Sequence, residues 1–221
     1  MTSFALLDVR PTPPESGSGI ERIVDATLRC VARWGIAKTT VEDVAREAGV
    51  GRATLYRLFP GGRDSLLDTV VLTETARFFD RLDARIAGVA SLEDLLVVAI
   101  SEAATTLANH AAFQFLITHE PETILPHLTF QQMDDVLGAV ATFGSPYLTP
   151  WLPEADGPEA APRAAEWLAR IVISYLVAPS TDVDLCDPDS VRPFVRTYIL
   201  PGLMPGGTVT KIPTSQRGNH T

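Results

Sequence analysis

An all-α fold is what the 221-residue sequence predicts, and three observations carry that expectation. Apolar residues recur at i, i+3, i+4 and i+7 over long stretches, and no alternation of useful length marks a strand. A Ser or Thr stands three positions before an acidic residue at Ser18/Glu21, Thr40/Asp43 and Ser91/Asp94. In that spacing a cap and its partner exchange hydrogen bonds at a helix start. Glycine or proline then punctuates the stretches, at Gly35, Gly49, Pro60, Gly88 and Pro121.

Composition narrows the class. An apolar content of 46% supports a sizeable core, while no apolar run approaches the roughly 18 residues of a membrane-spanning helix. Met1–Arg10 has no basic start before its short apolar patch, so no leader is read there and a cytoplasmic chain without a membrane partner is expected. Cys30 and Cys186 stand alone, outside any metal-ligand spacing, and Cys30 falls on an amphipathic helix, where a buried free thiol is expected. The net charge of −9 is unevenly spread. Residues 20–63 hold eight basic against five acidic side chains, whereas residues 88–203 hold four basic against fifteen acidic. A basic head suited to phosphate is thus joined to an acidic body.

In chain order, residues 1–17 carry Pro11, Pro13 and Pro14 without helical periodicity and read as a flexible arm. Ser18 caps a helix over Gly19–Trp34, with Ile20, Ile23, Val24, Leu28 and Val31 on one face and Gly35 ending it. Thr40 and Asp43 form a capping box for a second helix, which buries Val41, Val44, Ala45 and Ala48 and stops at Gly49. A third, short helix begins near Gly51 and turns Leu55 and Phe59 inward, leaving Arg52, Thr54, Tyr56 and Arg57 facing elsewhere. Two short helices around Ala48-Gly49-Val50 make a helix-turn-helix, which marks a reader of double-stranded DNA.

After the Pro60-Gly61-Gly62 turn a long helix is predicted over Arg63–Ala87, with Leu66, Val70, Val71, Phe78, Leu82 and Ile86 on its apolar side. Ser91 opens a helix over Leu92–Asn109. Pro121 and Pro126 break residues 110–128, and a helix follows over Thr129–Phe143. Gly144–Pro162 reads as an acidic surface loop. The helix predicted over Ala161–Val177 is apolar on nearly every face, which asks for a cover from outside the monomer. Asp187-Pro188 starts a last helix with a stripe of Val191, Phe194, Val195, Tyr198 and Ile199. A homodimer interface is therefore expected at Trp167, Ile171, Tyr175, Phe194, Val195 and Tyr198. The division so read is an arm at 1–17, a DNA-binding head at 18–62, a helical regulatory and dimerisation domain at 63–203 and a tail at 204–221.

The run Thr40-Val41-x-Asp43-Val44-Ala45-x-x-Ala48-Gly49-Val50, followed by Thr54-Leu55-Tyr56-x-x-Phe59-Pro60, resembles the tetracycline-repressor-type (TetR) family of bacterial regulators over residues 20–72. The resemblance implies an all-helical homodimer whose three-helix head reads DNA and whose larger domain encloses a ligand cavity. It places Thr39 and Thr40 on phosphate, Arg52, Thr54, Tyr56 and Arg57 at the major groove, and Arg63 where the family often has a phosphate-binding lysine. Leu58 replaces a histidine common in relatives, and Gly61-Gly62 lengthens the turn before Arg63 by one residue. The residue chemistry agrees: arginine suits guanine or phosphate, and a tyrosine hydroxyl anchors to phosphate.

The apolar helices of the body suit a lipophilic small-molecule effector, with Phe113, Leu116, His119, Phe130, Met133 and Leu137 as candidate lining. His110, Gln114, Glu120 and His127 are further candidate polar fixtures. A metal site from His110, His119 and His127 with Glu120 or Glu122 matches no strong ligand spacing, and no metal or cofactor is expected. The chain carries no nucleophile elbow, phosphate loop or zinc-protease motif, so an enzyme is not expected. Two regulatory readings stand side by side. One is a repressor released from a palindromic operator by its ligand; the other is a DNA-binding dimer that answers to a protein partner instead.

Overall fold

Helix α1 (Gly19–Trp34) is the spine of the N-terminal head in the computed structural model, which describes residues 14–15, 17–122, 131–153 and 157–204. The side chains of residues 131–136 lie outside that description. Ser18 caps α1 by accepting from the Glu21 N–H, and Gly35 ends it in a positive-φ conformation. Helices α2 (Val41–Ala48) and α3 (Arg52–Leu58) fold across it. The Thr40/Asp43 capping box is formed in both directions, and Gly49 takes the left-handed conformation that turns the chain. Ile23, Ala26, Val44, Ala45, Leu55 and Phe59 close the head's core, together with Leu66 from the next helix. Cys30 is buried there; burial first, then the charges of Glu47 and Asp43, push its thiol above the usual value and keep it protonated.

Helix α4 (Gly62–Ile86) leaves the head and enters the body. Its inward face differs from the predicted one: Thr73, Ala76 and Phe79 are buried with Leu66, Val70 and Leu82, whereas Val71 is exposed and Phe78 only half-buried. The reason is that α4 serves two cores in turn. Leu66 fills the head, and Phe79 with Leu82 meets Ala139 and Phe143 further on. Phe79 and Phe143 pack edge to face at 5.2 Å.

The body continues with α5 (Leu92–Asn109), capped by Ser91, and α6 (Ala111–His119), capped by His110. Then come α7 (Gln131–Leu148), a 3-10 turn at Thr149–Trp151 and α8 (Ala160–Val177). The arm at 1–17 and the tail at 204–221 lie almost wholly outside the described residues, as do Phe130, Pro126 and His127, and the side chain of Met133. Among the described residues no strand occurs, and no single helix is long and apolar enough to cross a membrane.

Two corrections concern the expected helices after residue 128. Helix α7 does not stop at Phe143 but runs through Gly144, Ser145 and Pro146. Pro146 has no N–H for the Thr142 carbonyl, and the Ser145 hydroxyl donates to that carbonyl at 3.4 Å instead. Gly144 lets α7 approach α8: a Cβ built there would lie 3.1 Å from the Ala165 methyl. The last helix is also not a single α-helix. It is α9 (Pro188–Phe194), a π turn (Val195–Ile199) and α10 (Leu200–Leu203). Val191, Val195 and Ile199 recur every fourth residue and are all fully buried, a spacing that the wider π turn keeps facing the core.

Ser101 on α5 is buried, and its hydroxyl has no hydrogen-bond partner among the described residues. Ser101→Ala is therefore expected to leave the melting temperature unchanged or to raise stability by up to about 1 kcal/mol. Calorimetry on the variant checks this, and a clear loss of stability would contradict it.

Candidate nucleic-acid interface

The face that α3 turns outward is set by what it turns in. Leu55 is 0% exposed and Phe59 is buried beside it, so Arg52, Tyr56 and Arg57 are left on the solvent side with Thr54 half-buried at its edge. Leu58 is exposed on the same short helix. The exposed side thus carries two guanidinium groups and a phenol, the chemistry suited to bases and phosphates in a major groove.

Four of the eight basic residues at 20–63 already have a carboxylate partner within the head. Arg29 lies 2.7 Å from Glu47 and Arg33 lies 3.5 Å from it. Arg46 pairs with Asp43, and Arg52 with Glu42. The hydrogen bond from Arg29 holds the Glu47 carboxyl below its usual value; at Asp43 the Thr40 hydroxyl is the leading cause of the same shift. Arg57 has no ion pair among the described residues.

The three expected phosphate contacts, Thr39, Thr40 and Arg63, are engaged within the protein. Thr39 is buried, and its hydroxyl donates to the Gly35 carbonyl at 2.6 Å, because it closes the α1–α2 loop from inside. Thr40 stays exposed at the head of α2, but its hydroxyl is committed to the capping box. Arg63 is half-buried and its guanidinium donates to the Ile36 carbonyl, tying the start of α4 to the same loop. Its neighbour Gly62 takes a positive φ, which the longer turn before α4 requires.

The candidate effector residues scatter. Leu116 is buried against Val31 of α1, in a cluster with Ala112, Leu28, Ala32 and Ile36, so it faces the head. His119 is exposed and stacks on Phe115 at 4.4 Å. Phe113 is half-buried and Leu137 buried. The polar fixtures are engaged locally. His110 accepts from the Phe113 N–H at 3.1 Å, Gln114 donates to the Leu107 carbonyl at 3.0 Å, and Glu120 is held by the α1–α2 loop. A surface cleft between Thr149, Leu152, Pro158 and Ala161 is lined by none of the candidates. Among the described residues no group of three or more His, Cys, Asp or Glu is placed to hold a metal ion.

On the expected dimer face, Trp167 and Tyr198 are exposed, and Tyr175, Phe194 and Tyr198 form a row with ring centroids 5.4 and 5.6 Å apart. Ile171 is half-buried beside them on α8. Val195 does not belong to that face: it is 0% exposed inside the chain's own core.

The sequence profile of bacterial regulatory proteins of the tetR family matches residues 23–70, which span the three head helices and the start of α4. An HTH-type transcriptional regulator of Mycobacterium tuberculosis, itself uncharacterized, is 26% identical over 191 residues, covering 86% of this chain and 88% of the relative. The head at residues 23–70 is that of the TetR family of transcriptional regulators. A second such M. tuberculosis regulator is 43% identical over 42 residues, 19% of this chain and 22% of the relative. Among solved structures, the TetR family repressor AlkX of Dietzia sp., implicated in n-alkane biodegradation, superposes with a TM-score of 0.60 at 24% identity, covering 82% of this chain and 96% of that one. The regulator FadR of Bacillus subtilis, solved in complex with stearoyl-CoA, superposes with a TM-score of 0.55 at 16% identity, covering 80% and 97%. At those identities the likeness speaks for the regulator's fold alone. With that head, and with relatives named as transcriptional regulators, the chain is a DNA-binding regulator and not an enzyme.

Proposed function

We propose that this regulator is a homodimeric repressor that sets one α3 in each of two successive major grooves of a palindromic operator, and that a lipophilic ligand releases it. The observation that carries the DNA half is the outward face of α3, where Arg52, Tyr56 and Arg57 stand on a helix pinned by the buried Leu55 and Phe59. The row of Tyr175, Phe194 and Tyr198 with the exposed Trp167 supports pairing through α8 and α9, and a two-fold pair asks for a two-fold site. Thr40 and Thr54 flank the reading face; in this reading Arg63 leaves the Ile36 carbonyl for phosphate when DNA docks. The lipophilic class of effector rests on the apolar lining candidates Phe113 and Leu137, and on the fold shared with a FadR that holds stearoyl-CoA. The ligand acts only to the extent that it prefers one arrangement of the heads over the other.

Selection of duplexes bound by the purified protein from a random pool, at two salt concentrations, tests this. An enriched palindrome with a fixed spacer is expected; enrichment of a single unpaired half-site would remove the dimer, and no enrichment would remove the operator. On the selected duplex, Arg52→Ala is expected to weaken specific binding by about 1–3 kcal/mol with no change in melting temperature. Unchanged affinity would take base reading away from Arg52. Release of the selected duplex by long-chain acyl compounds, and not by small polar metabolites, is the expected ligand result.

A further inference from the structure

The loop between α1 and α2 carries the head's reading pair, and a side chain of the body holds it. Glu120, just past the end of α6, is 9% exposed and accepts from the backbone N–H of Ile36 at 2.9 Å and of Ala37 at 3.4 Å. A carboxylate so far from water is costly unless its oxygens are satisfied, and two successive amides pointing one way make an anion nest that satisfies them. Gly35 opens that nest. Its φ of 83° and ψ of 171° belong to a region essentially reserved for glycine, and a Cβ there would lie 1.9 Å from the Glu120 Oε1. The rest of the loop is held from the head and α4: the Ile36 carbonyl by Arg63 and the Thr39 N–H, the Gly35 carbonyl by the Thr39 hydroxyl.

We propose that Glu120 is a positioning residue for DNA recognition: it latches the α1–α2 loop to α6, so that α2 and α3 turn with the body and the distance between two heads is fixed by the body. This rests on the operator reading above. The contact spans 84 positions of sequence and joins a side chain to main chain. It therefore fixes where the loop sits whatever side chains Ile36 and Ala37 present.

Amide hydrogen exchange followed by NMR on the full chain, for wild type, E120Q and E120A, tests the latch without DNA. E120A is expected to speed exchange at Ile36 and Ala37 and through α2–α3, while α5 and α8 keep their protection. E120Q retains one acceptor oxygen at the same reach and falls between. Unchanged exchange at Ile36 and Ala37, or equal loss of protection in α5 and α8, overturns the proposal; the second result would make Glu120 an ordinary stability residue. Binding to the selected palindrome, and to versions with the spacer lengthened by one or two base pairs, tests the role. E120A is expected to discriminate between spacers about tenfold less than wild type while still binding each half-site. A wild type indifferent to spacing overturns the operator reading itself. A discriminating wild type matched by E120A overturns only the part given to Glu120.

Discussion

Gly35→Ala is expected to lower stability by about 3 kcal/mol and to loosen the head from the body. Two costs combine. Alanine is strained at a φ of 83° and ψ of 171°, and its methyl would need the space now held by the Glu120 carboxylate, whose Cδ lies 2.4 Å from the built Cβ position. Glu120 can swing away, but only by leaving the Ile36 and Ala37 amides without their acceptor. Urea denaturation of G35A, E120A and the double variant separates these costs. The double variant should be less unstable than the sum of the singles, because the second change no longer breaks a tie that the first has already broken. Simple additivity would mean that backbone strain acts alone at this position.

Leu55→Ala is expected to remove about 3–4 kcal/mol and to abolish DNA binding altogether. Leu55 is fully buried among Ile23, Ala26, Val44, Phe59 and Leu66, in a head whose few short helices share that one cluster. Such a loss is a large part of the roughly 5–15 kcal/mol that a whole domain has in hand. The body, with its own core around Leu96, Ile100, Val191 and Val195, should keep its helices, so far-ultraviolet ellipticity falls only in part while affinity vanishes. Arg52→Ala provides the contrast: affinity falls and melting does not. If L55A melts like wild type, the cluster around Leu55 is not what holds the head together.

How much of this was legible in the sequence depended on how far apart the partners lie. Helices α1, α2 and α5 announce themselves because Ser18, Thr40 and Ser91 meet acceptors or donors three residues on. The outward face of α3 was legible by subtraction, once Leu55 and Phe59 were assigned inward. Helix α7 was read too short, since Gly144 and Pro146 are breakers in isolation; the contacts that keep them helical, the Ser145 hydroxyl and the Ala165 methyl, emerge only in three dimensions. The same limit explains Arg63 and Glu120, whose partners at Ile36 lie 27 and 84 positions away. Glu120 was visible as a polar residue in an apolar stretch and so as one candidate fixture for a ligand; the structure gives it to the loop. Val195 was placed on the dimer face because it shares an apolar stripe with Phe194 and Tyr198; the structure buries it with Val191 and Ile199 in the chain's own core.

The pairing of the head's arginines with its own carboxylates bears on how such a protein finds its site. Glu42, Asp43 and Glu47 already stand where counterions would gather, so on the proposed reading a duplex that recruits Arg52, or its paired neighbours Arg29 and Arg46, must win them from these carboxylates. Fewer ions are then set free on docking than eight basic residues would suggest, and affinity falls less steeply with salt. Random sequence offers phosphates but few matching base edges to offset the broken pairs, so it retains the protein only briefly. Genomic DNA at large becomes a weak competitor, and occupancy of one operator among many decoys gains by that difference.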